Sequence, residues 1–151
     1  MAPDAFERAL EALGHHERTT AELGEWLVAR GFESVEVEVA IERLVEAGAL
    51  DDERFAARFA EDKRDLRGWG PQRIRGALAA RGLESATIDA ALEGDEPAGQ
   101  LQRALELLER RSEAPVDEAS RGRALAYLAR RGYESELAYE AVRAHERLRW
   151  D

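Results

Sequence analysis

The residues best suited to chemistry in this sequence are a cluster of cations between positions 54 and 81. This stretch has eight basic residues and three acidic ones, whereas residues 1–53 have four basic and fourteen acidic residues. Trp69 lies among the cations, and an aromatic ring beside arginines is a common arrangement at binding hot spots. The residues predicted to contact a partner, either protein or DNA, are Arg54, Arg58, Lys63, Arg64, Arg67, Trp69, Arg73 and Arg75.

A structural explanation of the same cations stays open. Arg58 with Asp62 and Glu61 with Arg64 have the spacing of ion pairs within one helix, which would neutralise much of the local charge. Trp69 can likewise be explained as an apolar contact at the start of a helix. The sequence therefore supports two roles for this cluster, one in binding and one in folding.

Catalysis and metal binding are not expected. The G-x-S-x-G, P-loop and H-E-x-x-H motifs do not occur, and the chain has no cysteine that could act as a nucleophile or metal ligand. His15, His16 and Glu17 are adjacent, and neighbouring residues rarely point at one metal ion. We predict no enzyme, no catalytic residue, no cofactor and no metal.

The elements that position these residues are helices joined by a turn that occurs three times. A glycine in each copy fits the left-handed conformation just past a helix end, and the apolar residue after it can fold back on that helix. The serine that ends each copy is predicted to cap the next helix. The three copies, about fifty residues apart, are Arg30–Ser34, Arg81–Ser85 and Arg131–Ser135.

This repeat predicts an all-α fold of three tandem three-helix repeats, about 50 residues each, in an elongated arrangement, straight or curved. The predicted repeats are 1–48, 49–94 (with the basic centre) and 95–151. The glycines and proline of residues 94–99 mark the clearest boundary. A unit of that size is only marginally stable by itself, so the repeats are expected to stack on one another.

Apolar spacing predicts which positions face the core of each helix. Leu66 is assigned to one face with Phe55 and Phe59, and Val45 and Leu148 are predicted to be buried in the third helices of their repeats. His145 lies on a helix of mixed polarity and is predicted to be at the surface. No apolar run is long enough to span a bilayer, and the lack of cysteine suits a reducing cytoplasm.

Three-helix units also admit a DNA-binding helix-turn-helix, whose third helix would enter the major groove. The charge opposes this hypothesis, because residues 35–47 hold four glutamates and one arginine and the chain has a net charge of −10. A helical scaffold for some other protein partner is a third hypothesis, which shares the fold prediction.

The chain resembles the RecX family, bacterial regulators of the RecA recombinase. The matching residues span nearly the whole chain: Arg18-Thr19, Glu22-Leu23, Gly48, Leu50-Asp51-Asp52, Phe55-Ala56, Phe59, Gly70, Arg73-Ile74, Leu78, Arg81-Gly82, Leu128 and Arg131-Gly132-Tyr133.

The resemblance implies tandem three-helix repeats and no catalytic activity. It also implies binding in the helical groove of RecA filaments on single-stranded DNA. The consequences would be blocked filament growth and suppressed ATP hydrolysis, strand exchange and co-protease activity. A cytoplasmic monomer is expected, with the RecA filament as partner and at most weak contact with single-stranded DNA.

Overall fold

The computed structural model of the chain describes residues 3–111 and 113–150. All regular structure within these residues is helical, which confirms the all-α prediction, while the division into three repeats stays a prediction. The helices are α1 (Ala5–His15), α2 (Thr20–Ala29), α3 (Ser34–Glu46), α4 (Asp52–Arg67), α5 (Pro71–Ala80), α6 (Ser85–Leu92), α7 (Pro97–Arg110), α8 (Glu118–Arg130) and α9 (Ser135–Trp150).

The chain forms two compact units. The first unit runs to Ala57 and includes Leu78–Ala90, and the second holds Arg58–Ala77 and continues from Ala91. In the first unit, α1 and α2 pack on α3 around a core that includes Ala9, Leu23, Leu27 and Leu44. In the second unit, α7 and α8 pack on α9 around a core that includes Ala104, Leu108, Leu128, Tyr133 and Ala141.

The three repeated turns have the predicted helix-ending geometry. Gly31, Gly82 and Gly132 have φ angles of 92°, 84° and 100°, in the left-handed region that favours glycine. The N–H of the apolar residue after each glycine donates to a carbonyl five residues earlier, as Tyr133 does to Leu128 at 3.1 Å. The serine prediction is wrong, because α3, α6 and α9 already begin at their serines, and Glu33 precedes α3 without a side-chain cap.

The spacing of Thr19 and Glu22 in the sequence predicts a capping box, and the start of α2 confirms it. Thr19 Oγ1 accepts from the Glu22 N–H at 3.1 Å, and Glu22 Oε1 accepts from the Thr19 N–H at 3.0 Å. These two bonds satisfy N–H groups that the helix itself cannot pair.

Some apolar positions do not face the core as predicted. Leu66, Val45 and Leu148 are 79%, 48% and 59% exposed, whereas His145 is buried. The buried faces of these helices are instead lined by alanines. Leu66 lies six residues after the buried Ala60 and therefore on another face of α4. His145 lies four residues after buried Ala141, on the core face of α9.

Two of the repeated turns dock against the start of another helix. In the first unit Thr19 Oγ1 donates to the Arg81 carbonyl at 2.8 Å, and the Arg81 guanidinium donates to both carboxylate oxygens of Glu22, at 2.8 and 3.0 Å. In the second unit the Gly70 and Gln72 N–H groups donate to the carbonyls of Arg131 and Gly132, at 2.8 and 3.0 Å. In these two copies the phrase therefore ends its own helix and also fixes the beginning of an earlier one.

The docked turn of the first unit should make the free energy of unfolding depend on pH. Burial opposes ionisation of Glu22, but hydrogen bonds from Arg81 and the Thr19 N–H outweigh it and lower the pKa below its ordinary value of 4.5. Because the pKa is lower in the folded chain, this stabilisation is present above about pH 4.5 and is lost as the pH falls through the folded value. We expect Glu22→Gln to reduce the free energy of unfolding at neutral pH, and this difference to shrink in acid.

Urea unfolding of the wild type and Glu22→Gln at a series of pH values measures this difference. Glu25→Gln, an exposed neutralisation on the same helix, is the matched control. A difference between the wild type and Glu22→Gln that stays constant down to acidic pH would contradict the prediction.

Candidate partner-binding site

The structure brings Lys63, Trp69 and Arg73 together, and we name these three residues the Trp69 cluster. The Lys63 Nζ atom lies 5.0 Å and the Arg73 Cζ atom 4.2 Å from the centre of the Trp69 ring. The ring of Phe59 stands edge-on to Trp69, with 6.3 Å between ring centres. The distances of Lys63 and Arg73 from the Trp69 ring are those at which a cation is attracted to an aromatic face.

Local backbone geometry places Trp69 in the short turn between α4, which carries Lys63, and α5, which carries Arg73. Gly68 has a φ of 66° just past the end of α4, and the Trp69 N–H donates to the Lys63 carbonyl at 3.1 Å. A proline after two glycines predicts that a helix begins at Pro71, because its fixed φ suits the first helical position, and α5 does begin there. The turn therefore holds the half-buried ring of Trp69 between residues of two helices.

The docked turn that begins at Arg131 holds the Trp69 cluster through contacts between residues far apart in the sequence. Arg73 Nη1 donates to the Arg130 carbonyl at 3.3 Å, and Arg131 Nη1 donates to the Arg67 carbonyl at 2.9 Å. Sequence reasoning missed Arg131 as a neighbour of this site. The available signal was the phrase itself, which begins with arginine in all three copies.

The other predicted cations take different positions. Arg58, Arg67 and Arg75 are exposed residues of the second unit. Arg54 belongs to the first unit, where its guanidinium lies 3.9 Å from an Asp51 carboxylate oxygen and 3.3 Å from the Gly48 carbonyl. Arg54 therefore does not join the Trp69 cluster.

Arg64 is withdrawn from the surface into a buried ion cluster. Its Nε lies 3.6 Å from a carboxylate oxygen of Asp95, and its side chain is 19% exposed. Arg103 binds the same carboxylate with two hydrogen bonds of 2.9 Å. Asp95, whose side chain is 2% exposed, lies in the stretch that the sequence marked as a boundary. The charge of Arg64 thus serves the internal structure of the second unit.

No cluster typical of a site for a metal ion occurs among the described residues. No group of three or more histidines, aspartates and glutamates within 3–111 and 113–150 is arranged to hold one. None of the helices in this part of the chain has both the length and the apolar character needed to cross a bilayer.

A helical chain that presents cations around a tryptophan, on a turn held by one of its repeated phrases, has the features of a protein that binds another macromolecule. Two family models match it, RecX, first three-helix domain, over residues 5–44 and RecX, second three-helix domain, over residues 51–92. The chain belongs to the RecX family.

Curated relatives and solved structures agree with this assignment. The regulatory protein RecX of Xanthomonas campestris pv. campestris is 39% identical over 142 residues, which cover 91% of this chain and 85% of the relative. That of Stenotrophomonas maltophilia is 37% identical over 139 residues, 91% of this chain and 84% of the relative.

The fold is also that of RecX crystal structures. The structure of RecX from Lactobacillus salivarius superposes with a TM-score of 0.85 at 16% identity, over 94% of both chains. A second crystal structure of regulatory protein RecX gives a TM-score of 0.80 at 25% identity, over 93% of this chain and 70% of the other.

Proposed function

We propose that this chain inhibits the RecA recombinase by binding RecA filaments on single-stranded DNA. Binding would block filament growth and thereby suppress ATP hydrolysis, strand exchange and co-protease activity. The observation that carries this proposal is the match to relatives named regulatory protein RecX over 91% of the chain. In this function the chain acts as a non-catalytic monomer in the cytoplasm, where it meets RecA.

The proposed contact surface is the Trp69 cluster together with the exposed cations Arg58, Arg67 and Arg75. An aromatic ring that is already fixed by neighbouring cations loses little conformational freedom when a partner covers it. Arg54 is left out of this surface because it belongs to the first unit, and Arg64 because its side chain is withdrawn beside the buried Asp95.

A second mode, weak contact with the single-stranded DNA inside the filament, is supported by the same cluster. Stacking on an aromatic ring flanked by cations is a general way to hold unpaired bases. Tight binding to duplex DNA is disfavoured, because α3 carries four glutamates against one arginine and phosphates would repel it. Binding to duplex DNA with a steep dependence on salt would support the helix-turn-helix alternative instead.

Reversing the charge of the Trp69 cluster should weaken inhibition of RecA. We expect Lys63→Glu with Arg73→Glu to raise the concentration for half-inhibition of single-strand-dependent ATP hydrolysis about tenfold, roughly 1.4 kcal/mol of lost binding. Arg143→Glu with Arg147→Glu, which reverses two exposed cations of α9, is the control with the same change in charge. Circular dichroism checks that both variants keep their helical content.

The wild-type titration tests the function, and the variants test the surface. Inhibition well below one chain per RecA supports blocked filament growth, whereas inhibition only near equal amounts supports coating of the filament groove. Equal inhibition by both variants would remove the Trp69 cluster from the contact. No inhibition of the cognate RecA by the wild type would end the proposal and favour a helical scaffold for another protein.

A further inference from the structure

An open groove lies between α2 and α3 in the first unit, away from the cations that the sequence singled out. Its volume is about 930 Å³. The floor is formed by small and apolar residues, among them an exposed valine, Val28 (56%). The floor residues are Ala21, Gly24, Val28, Ala29, Val37 and Ile41.

The rim of this groove is acidic. All the ionisable side chains among the described residues that line it are carboxylates. Asp52 is fixed in place, because its two carboxylate oxygens accept from the N–H and the hydroxyl of Thr20 at 2.9 and 2.7 Å. The rim residues are Glu25, Glu38, Glu42, Asp52 and Glu84.

A glycine in the middle of a helix keeps the floor open. Gly24 lies within α2, where glycine is a poorer helix former than alanine. A Cβ atom at this position would meet only Val37 Cγ1, at an ordinary 3.9 Å, so packing within the chain does not require glycine here. The missing side chain leaves open space in the groove.

We propose that this groove docks a cationic amphipathic segment of a protein partner. Apolar side chains of that segment would lie on the floor, as in other complexes of a helix with a groove, and its lysines or arginines would face the carboxylates. Opposite charge at the rim speeds encounter and selects against wrong partners. Nucleic acid and anionic membranes are repelled by the same rim. The identification of this partner as RecA rests on the proposed function, whereas the chemistry of the groove does not.

Two variants test the groove without disturbing its internal hydrogen bonds. Gly24→Leu fills the floor with a good helix former, and Glu25→Lys/Glu38→Lys/Glu42→Lys reverses three exposed carboxylates. Glu46→Lys/Glu109→Lys/Glu140→Lys, three exposed glutamates outside the groove, is the control with the same change in net charge.

The probe is a fluorescent synthetic helix of leucine and lysine, compared with a leucine–glutamate helix of the same pattern. We expect the lysine helix to bind the wild type and the control variant, and to bind both groove variants at least tenfold more weakly. Equal binding to the groove variants, equal binding of the glutamate helix, or no binding would overturn the proposal. So would a dimer, seen by light scattering, that Gly24→Leu separates, because a second copy would then fill the groove.

RecA inhibition by the same proteins tests the identity of the partner. Loss of inhibition in both groove variants, with the control unchanged, supports docking of RecA in the groove. Full inhibition by both groove variants would exclude RecA from the groove and leave the proposed function intact. If the wild type does not inhibit RecA, the proposed function fails, and binding of the lysine helix still decides the chemistry of the groove.

Discussion

Replacing Asp95 with alanine is expected to lower the free energy of unfolding by about 3–5 kcal/mol, the usual effect of removing one partner from a buried ion pair. The Asp95 carboxylate is 2% exposed and faces two arginines, Arg103 at 2.9 Å and Arg64 at 3.6 Å. Without it, two cations with side chains 17% and 19% exposed would repel each other in a poorly hydrated site.

The charges in this cluster make the loss of Asp95 far more destabilising than the loss of Arg64. Two guanidinium groups share one carboxylate, and the Nε and Nη2 atoms of Arg64 are buried without a hydrogen-bond acceptor among the described residues. Arg64→Met removes the surplus cation and leaves the two-bond pair of Asp95 with Arg103 intact. We therefore expect Arg64→Met to change stability by less than about 1 kcal/mol, and to recover part of the loss when combined with Asp95→Ala.

Chemical unfolding of the two single variants and the double variant gives the coupling energy directly. Glu11→Gln serves as a control, because Glu11 belongs to an exposed pair with Arg8 at 3.9 Å and should change stability by less than about 1 kcal/mol. An Asp95→Ala variant as stable as Glu11→Gln would show that the buried cluster contributes little to folding.

The parts of the fold that the sequence predicted are those that depend on a few neighbouring residues. The turn at Gly31 and the capping box of Thr19 with Glu22 each close within six residues, so residue type and spacing are enough to predict them. Pro71 at the start of α5 is of the same kind. Such motifs are set by local backbone geometry.

The parts that the sequence did not predict depend on residues far apart in the chain. The contact of Thr19 with Arg81 joins positions 62 residues apart, and that of Arg131 with Arg67 joins positions 64 apart. Residue type alone marked Arg64 as a surface cation and Asp95 as a boundary residue. Their mutual burial depends on how the helices pack, and helical spacing does not determine that.

The candidate binding site shows the same division. Lys63, Trp69 and Arg73 are close in sequence, and the local turn between α4 and α5 brings them together as neighbours. The acidic groove was not predicted, because Glu25 and Glu38 lie on different helices and glutamates are common throughout the chain. Only the packing of α2 against α3 makes them one surface.

Gly132→Ala is expected to lower the free energy of unfolding by about 2–5 kcal/mol. Its φ of 100° places an L-residue in a conformation that costs about 1–2 kcal/mol. The added Cβ would also lie 2.6 Å from the Arg73 backbone nitrogen and closer still to the Arg73 Cβ, and overpacking of that kind costs about 1–3 kcal/mol. Relief requires the start of α5 to move, and with it Arg73 of the Trp69 cluster.

The repeat itself supplies the matched control for this substitution. Gly31 has the same phrase and a φ of 92°, but a Cβ there meets nothing within 4 Å. Gly31→Ala should therefore lower the free energy of unfolding only by the cost of the backbone conformation, about 1–2 kcal/mol. The difference between the two variants in urea unfolding isolates the contribution of docking, and equal losses would mean that the third turn is not held tightly against α5.

The turn at Gly82 separates the clash from the backbone strain. A Cβ on Gly82 would lie 2.6 Å from the Cβ of Ala21, and a second substitution can remove that atom. Combining Gly82→Ala with Ala21→Gly should thus recover the part of the free energy of unfolding that the clash removes. The comparison must allow for the roughly 1 kcal/mol that glycine costs in a helix. No side-chain truncation can do the same for Gly132, because Arg73 meets it with its backbone. We therefore expect rescue at the first docked turn and none at the second, and rescue at neither would show that strain alone explains the losses.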